Sequence, residues 1–291
     1  MNFLSFGKLV VFSPWYATKA KSHGDNRSLL RISRDIISLC HDYGISGPLY
    51  LKDKVGLMSH WEREKYLADR EEKMRYSKMY NDNWAFIDKY ADFGYQVSRK
   101  KRKERNRAYI ERFHMGEHCI IQYGVKFIFE HHSIGRVSIG DNVLFARDVD
   151  VDITGDLTIC DGTRIAENVK LLTHRHTYFD GDDTHGLELT PLINQDHVHF
   201  GARVMVLPGV EEIGRGAILS SGAIVRKKVP PYAIITGNPS RVVGFRFTPD
   251  QVLEYEKSMY PPEDRLPEEI LRQNYKKYYL DKLNEIKAFL M

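Results

Sequence analysis

From Ser133 to Val243 the chain keeps a six-residue rhythm, and that rhythm rules out most ways of folding it. Aliphatic or aromatic residues recur at Ile139, Phe145 and Val151, resume in step at Ile159, Ile165 and Leu171, and return at Phe200, Val206, Ile213, Leu219 and Val225. The residue that follows is repeatedly small, as at Gly140, Ala146, Ala166, Gly201 and Gly214. A period of six fits neither the repeat of an amphipathic helix nor the alternation of a strand. It fits a solenoid whose coil has three short strands and three tight corners, with small residues where the backbone turns. Each coil then takes about 18 residues, and none buries its own apolar face without its neighbours.

Two longer interruptions break the rhythm. Ile153-Thr154-Gly155-Asp156-Leu157 adds two residues between Val151 and Ile159, and these must bulge at a corner if the flanking strands are to stay stacked. After Leu171-Leu172-Thr173-His174-Arg175-His176 the chain leaves the coil through 178–186 and returns near Pro191. A long excursion from a regular solenoid is where a binding surface is built. Its acids Asp180, Asp182, Asp183 and Glu188 raise a calcium reading, but the EF-hand spacing with its closing Glu is missing, and no metal is assigned.

The blocks Ile139-Gly140-Asp141-Asn142-Val143, Val206-Leu207-Pro208-Gly209-Val210, Ile213-Gly214-Arg215-Gly216-Ala217 and Gly237-Asn238-Pro239-Ser240-Arg241-Val242 resemble the left-handed β-helix hexapeptide-repeat acyltransferases. Within that family the chain is most similar to the O-acetyltransferases that modify sugars, including those acting on surface polysaccharides. The resemblance covers residues 119–247. It implies a mainly β fold, a left-handed parallel β-helix, with α-helical extensions at both ends. The chain departs from the family pattern at Asn194-Gln195-Asp196-His197, at His199 and at the extra acid between Val210 and Ile213.

Three regions are expected: 1–116, mainly helical; 117–247, the β-helix with an excursion at 174–191; and 248–291, helical again. In the first, a helix is expected at Leu29–His41, a long tract from Trp61 to Tyr90, and another from Val97 towards Phe113. This extension could cap the open end of the solenoid, pair with neighbouring chains or hold the acceptor. In the last region, Thr248-Pro249-Asp250 starts one helix and Pro267-Glu268-Glu269 starts a second that runs to about Leu290. The apolar run at 3–12 is broken by Lys8 and falls short of the roughly 18 apolar residues of a membrane span, so no transmembrane segment is expected.

Among 291 residues the formal net charge is +4, which gives no global electrostatic case for nucleic acid. The basic run 99–107 reads first as a solvated helix face and second as a weak membrane-surface or anionic-glycan contact. No aromatics are interleaved with it for base stacking. Three scattered cysteines, Cys40, Cys119 and Cys160, suggest neither a disulfide framework nor a metal finger and fit a reducing compartment, so a cytoplasmic enzyme is expected.

The resemblance implies transfer of an acetyl group from acetyl-coenzyme A to a sugar hydroxyl. That reaction needs a base for the hydroxyl and a group that stabilises the oxyanion. Imidazole suits the first task. Thr173-His174 is similar to the pair at which the family carries its histidine, which points to His174. His176 is its rival, since alternation along a strand sends both to one side. His185 and the pair His131-His132 are weaker candidates. No Cys or Ser lies in a nucleophile-elbow context, so direct attack by the acceptor is expected.

A supporting carboxylate is expected at Asp152, by resemblance, or at Asp156, which an 18-residue stack would put below His174. By the same resemblance Ala202 and Ser221 would contact the pantetheine arm, and Lys227 and Arg241 would meet phosphate, which exposed cations bind well. A homotrimer is implied. Transfer to an amino group and a non-catalytic scaffold are the alternatives.

Overall fold

The computed structural model describes residues 60–91, 98–130, 133–177 and 186–290. The run 3–12, the helix expected at Leu29–His41, the candidates His131, His132 and His185, and the acids Asp180, Asp182 and Asp183 lie outside the described residues.

The coils form three stacks of short parallel strands. One stack runs through Ile120–Ile121, Leu144–Phe145, Arg164–Ile165, His199–Phe200, Ile218–Leu219 and Ala233–Thr236, and Arg241–Phe245 closes it antiparallel. The second runs through Lys126–Ile128, Asp150–Asp152, Lys170–Leu171, Met205–Val206 and Ile224–Val225. The third runs through Val137–Ile139, Leu157–Ile159, Leu192–Asn194 and Glu212–Ile213.

Register explains the rhythm. Phe145 lies on Ile165, then Phe200 and Leu219; Val151 lies on Leu171, then Val206 and Val225. All of these side chains are buried, and burying each contributes roughly 1.5–3 kcal/mol. The corners are tight: a Cβ on Gly201 would lie 2.5 Å from the Ser221 nitrogen of the next coil. The third stack has one polar residue in its core, Asn194, whose Nδ2 donates to Thr163 Oγ1 at 2.8 Å.

The pairing of Ile139 with Ile159, Phe145 with Ile165 and Val151 with Leu171 makes the step about 20 residues, longer than the expected 18. The two extra residues before Leu157 fall inside each of those intervals. Above the break, the extra acid before Ile213 lengthens the coil in the same way.

The chain divides into two units, residues 1–82 and 83–291, and the coils belong to the second. Helix α1, His60–Tyr90, and helix α2, Arg99–Phe113, match the two long helices expected here. The division lies upstream of the expected boundary at 116 because the end of α1 and all of α2 pack on the first coil. Asn83 Nδ2 donates to the Phe127 carbonyl at 2.8 Å, Tyr109 Oη to the Val125 carbonyl at 2.5 Å, and Arg105 Nε to the Ile121 carbonyl at 3.0 Å. Phe113 stacks on Phe127 at 4.4 Å between centroids, and Phe127 meets Phe145 at 5.5 Å. Of the expected capping, pairing and acceptor roles, α2 therefore performs the first. Most of the basic run on α2 is exposed, but Arg105 is buried and its guanidinium pKa is lowered by burial.

At the other end α3, Pro249–Met259, starts at Thr248 with a capping box closed by Gln251. Its buried Glu256 accepts from Arg215 Nη1 at 2.7 Å, from the Leu266 nitrogen at 3.0 Å and from Tyr232 Oη. The second expected C-terminal helix is broken: α4 spans Glu268–Tyr278, a 3₁₀ turn follows at Leu280–Lys282, and α5 spans Leu283–Leu290. Tyr279 leaves the helical region with φ −123° and ψ −64°. Among the described residues no helix is long and apolar enough to cross a membrane.

Candidate active site

The corner between the second and third stacks brings candidate residues together. Asp152 ends the strand Asp150–Asp152, one coil below Leu171, and its side chain is buried. Its Oδ1 accepts from the Thr154 nitrogen at 2.9 Å, and its Oδ2 accepts from the Thr173 nitrogen at 2.8 Å. The same Oδ2 lies 2.6 Å from His174 Nδ1. Thr173 is tied to the coil below through its hydroxyl, which donates to the Asp152 carbonyl at 3.1 Å and accepts from the Gly155 nitrogen at 2.9 Å. Gly155 is required by this approach, because a Cβ there would lie 2.6 Å from the Thr173 carbonyl oxygen.

The excursion begins at His174 itself. His174–Thr177 pairs antiparallel with Gly186–Leu189, and Arg175 and Glu188 join across the ribbon at 2.7 Å. The His174 side chain is 12% exposed, so it is held by the corner while one edge reaches the surface. An ionised carboxylate only accepts hydrogen bonds, so the Asp152 contact places the ring proton on Nδ1 and the lone pair on Nε2. An imidazole in that tautomer can take a proton from a hydroxyl.

The structure separates the two carboxylates that the sequence left open. Asp156 points to the coil on the other side, where Arg136 Nη2 donates to it at 2.7 Å, and this guanidinium holds the carboxyl below the usual carboxylate range. His176 lies beside His174, with ring centroids 5.4 Å apart, but among the described residues Asp152 is bonded to His174 and not to it. Glu130 was not foreseen. Its Oε2 lies 3.9 Å from His174 Nε2, and it belongs to the irregular first coil, where no repeat marks it.

The four positions expected to contact coenzyme A fall in different places. Ala202 and Ser221 come together in stacked turns at one corner, where the Gly222 nitrogen donates to the Ala202 carbonyl at 2.9 Å. Lys227 is exposed at the corner that follows Val225, which stacks through Val206 on Leu171. Arg241 lies over the Phe289 ring of α5 at 4.8 Å, against the C-terminal helices.

A separate cleft of about 990 Å³ opens at the corner between the third and first stacks, lined by Arg164, His199, Arg215, Arg246 and Tyr260 among others. Burial, then the charges of Arg246 and Arg164, lower the His199 pKa. Cys160, also on this cleft, has its thiol pushed up to about 11 by burial.

No family model matches the chain. It is 34% identical over 110 residues to YvoF of Bacillus subtilis, a provisionally named acetyltransferase, in a match that covers 37% of this chain and 60% of that protein. It is 44% identical over 55 residues to a chloramphenicol acetyltransferase of Klebsiella aerogenes, covering 19% of this chain and 26% of that one. The chain thus spans less than two thirds of the length of these curated relatives. Among solved structures, a galactoside acetyltransferase in complex with coenzyme A is similar over 66% of this chain and 90% of its own, at 20% identity and a TM-score of 0.47. The coil region of this chain is a solenoid of stacked short parallel strands, similar in sequence over part of its length to acetyltransferases.

Proposed function

We propose that the chain is an acetyl-coenzyme A dependent O-acetyltransferase that acts on a sugar hydroxyl, with His174 as general base and Asp152 as its positioning carboxylate. The observation that carries this reading is the 2.6 Å contact between His174 Nδ1 and Asp152 Oδ2 at the break in the coil. His174 Nε2 would take the proton of the acceptor hydroxyl as its oxygen attacks the thioester carbonyl. The tetrahedral intermediate then collapses to a sugar ester, and the proton returns to the departing thiolate. Asp152 stabilises the imidazolium formed in between. A proton relay of this kind contributes about 10²–10⁴ in rate.

The stacked turns at Ala202 and Ser221 offer a narrow track for the pantetheine arm, and Lys227 and Arg241 offer cations for phosphate. Lys227 is exposed and suits that task directly, whereas Arg241 would have to serve from its stacked position on Phe289. The acceptor would be a sugar of an exported or surface glycan, modified in the cytoplasm where acetyl-coenzyme A is made. Three copies around an axis would complete each cleft.

The test is to offer the purified full-length chain acetyl-coenzyme A and a panel of sugars and amino sugars, and to identify products by mass and by lability to mild base. A base-labile ester supports the reading. A stable amide on an amino sugar would replace it with N-acetylation, which one similar protein performs, the tetrahydropyridine-dicarboxylate N-acetyltransferase of Staphylococcus aureus.

A further inference from the structure

We propose that Glu130, His174 and His176 form a binding site for a divalent transition-metal ion of the zinc type, and that the ion switches acetyl transfer off. The site itself stands on geometry, while its effect on transfer rests on the function proposed above. One ligand atom from each of the three residues lies within 4.8 Å of the others. Glu130 Oε2 and His174 Nε2 are already 3.9 Å apart, and the two imidazole rings meet edge to face at 5.4 Å.

A tetrahedral zinc with bonds near 2.0–2.1 Å holds its ligand atoms roughly 3.3 Å apart. Closing from the observed spacing takes side-chain rotation, with the backbone left in place. The Glu130 side chain is 53% exposed. Its backbone is pinned, because its nitrogen donates to Thr154 Oγ1 at 3.0 Å and its carbonyl accepts from the Ser133 nitrogen at 3.2 Å.

Two imidazoles and one carboxylate select a borderline ion over calcium or magnesium, which want all-oxygen shells. The outer shell is also in place. Asp152 accepts from His174 Nδ1, the arrangement that fixes a metal-bound histidine's tautomer and raises its basicity. An ion on Nε2 occupies the lone pair that would otherwise take the acceptor's proton, so metal binding and base catalysis exclude each other at one atom. Zinc would act as a reversible inhibitor relieved by a chelator.

The test uses the full-length chain stripped with a chelator, then titrated with Zn²⁺ by calorimetry and with Co²⁺ by visible absorption. One ion per chain and the absorption of a tetrahedral cobalt centre are expected. Glu130→Gln and His176→Ala should each weaken binding by more than the roughly 10–100-fold that loss of an outer-shell partner costs, with folding confirmed by an unchanged melting profile. In transfer assays, with each protein compared with its own metal-free rate, Zn²⁺ should inhibit the wild type and lose most of that effect on Glu130→Gln. No stoichiometric binding, or binding that neither substitution weakens, overturns the site. Zinc inhibition that persists undiminished in Glu130→Gln overturns the switch. If the metal binds as described but no sugar is ever acetylated, the proposed function fails and the metal site stands.

Discussion

His174 and Asp152 are 22 positions apart and touch because a two-residue bulge sets the coil step. The family resemblance points to both residues, whereas an 18-residue stack puts Asp156 under the histidine, because it leaves out the two residues that the bulge adds to the coil. The answer needed the register, in which Val151 pairs with Leu171 and so brings Asp152 to Thr173 and His174. Asp152 also holds the fold, and this makes it separable from His174 by experiment. Asp152→Ala should lower turnover and also cost about 1–3 kcal/mol in a urea titration, because the Thr154 and Thr173 nitrogens lose a buried acceptor. His174→Ala takes one donor from a carboxylate that keeps both backbone donors, and should shift the urea midpoint less than Asp152→Ala does. At Gly155 the sign is fixed by sterics: Gly155→Ala forces a Cβ against the Thr173 carbonyl and should cost about 1–3 kcal/mol by the same titration. Glu130 was illegible for a different reason, since the first coil lacks a clean rhythm and its contact with His174 comes from the path of the ribbon.

At the level of elements, the sequence predicted what local chemistry controls. Thr248-Pro249 with Gln251 starts α3 because cap, proline and capping-box partner are adjacent in the chain. The break at Tyr279 has no Gly or Pro to announce it and is settled by packing of α4 and α5 against the last strand, with Tyr275 on Phe245 and Phe289 under Arg241. Docking of α3 rests on a buried ion pair between Glu256 and Arg215. Glu256→Ala leaves Arg215 with a reduced share of countercharge and should cost about 3–5 kcal/mol, read from the shift in the urea midpoint.

The cleft beside α3 also gives a pH signature. Cys160 keeps its proton in the folded chain up to about 11, against an ordinary 9.0. Below about 9 the thiol is protonated in both states and contributes no slope. Between 9 and 11 the unfolded chain binds fewer protons than the folded one, so stability falls as pH rises. Cys160→Ala should flatten that part of the stability–pH curve relative to wild type.

Across the whole molecule, the trimer proposed above would make three clefts from two chains each. Light scattering should give a mass three times the 33.9 kDa of one chain, and a monomer that still transfers acetyl groups would remove the need for a shared site. The central claim is that the histidine held by Asp152 is the base. It is tested most directly by comparing acetyl transfer by wild type and His174→Ala at saturating acetyl-coenzyme A, with coenzyme A binding measured alongside. A fall of about 10²–10⁴ in turnover with binding unchanged is expected; turnover within a few-fold of wild type would contradict this role.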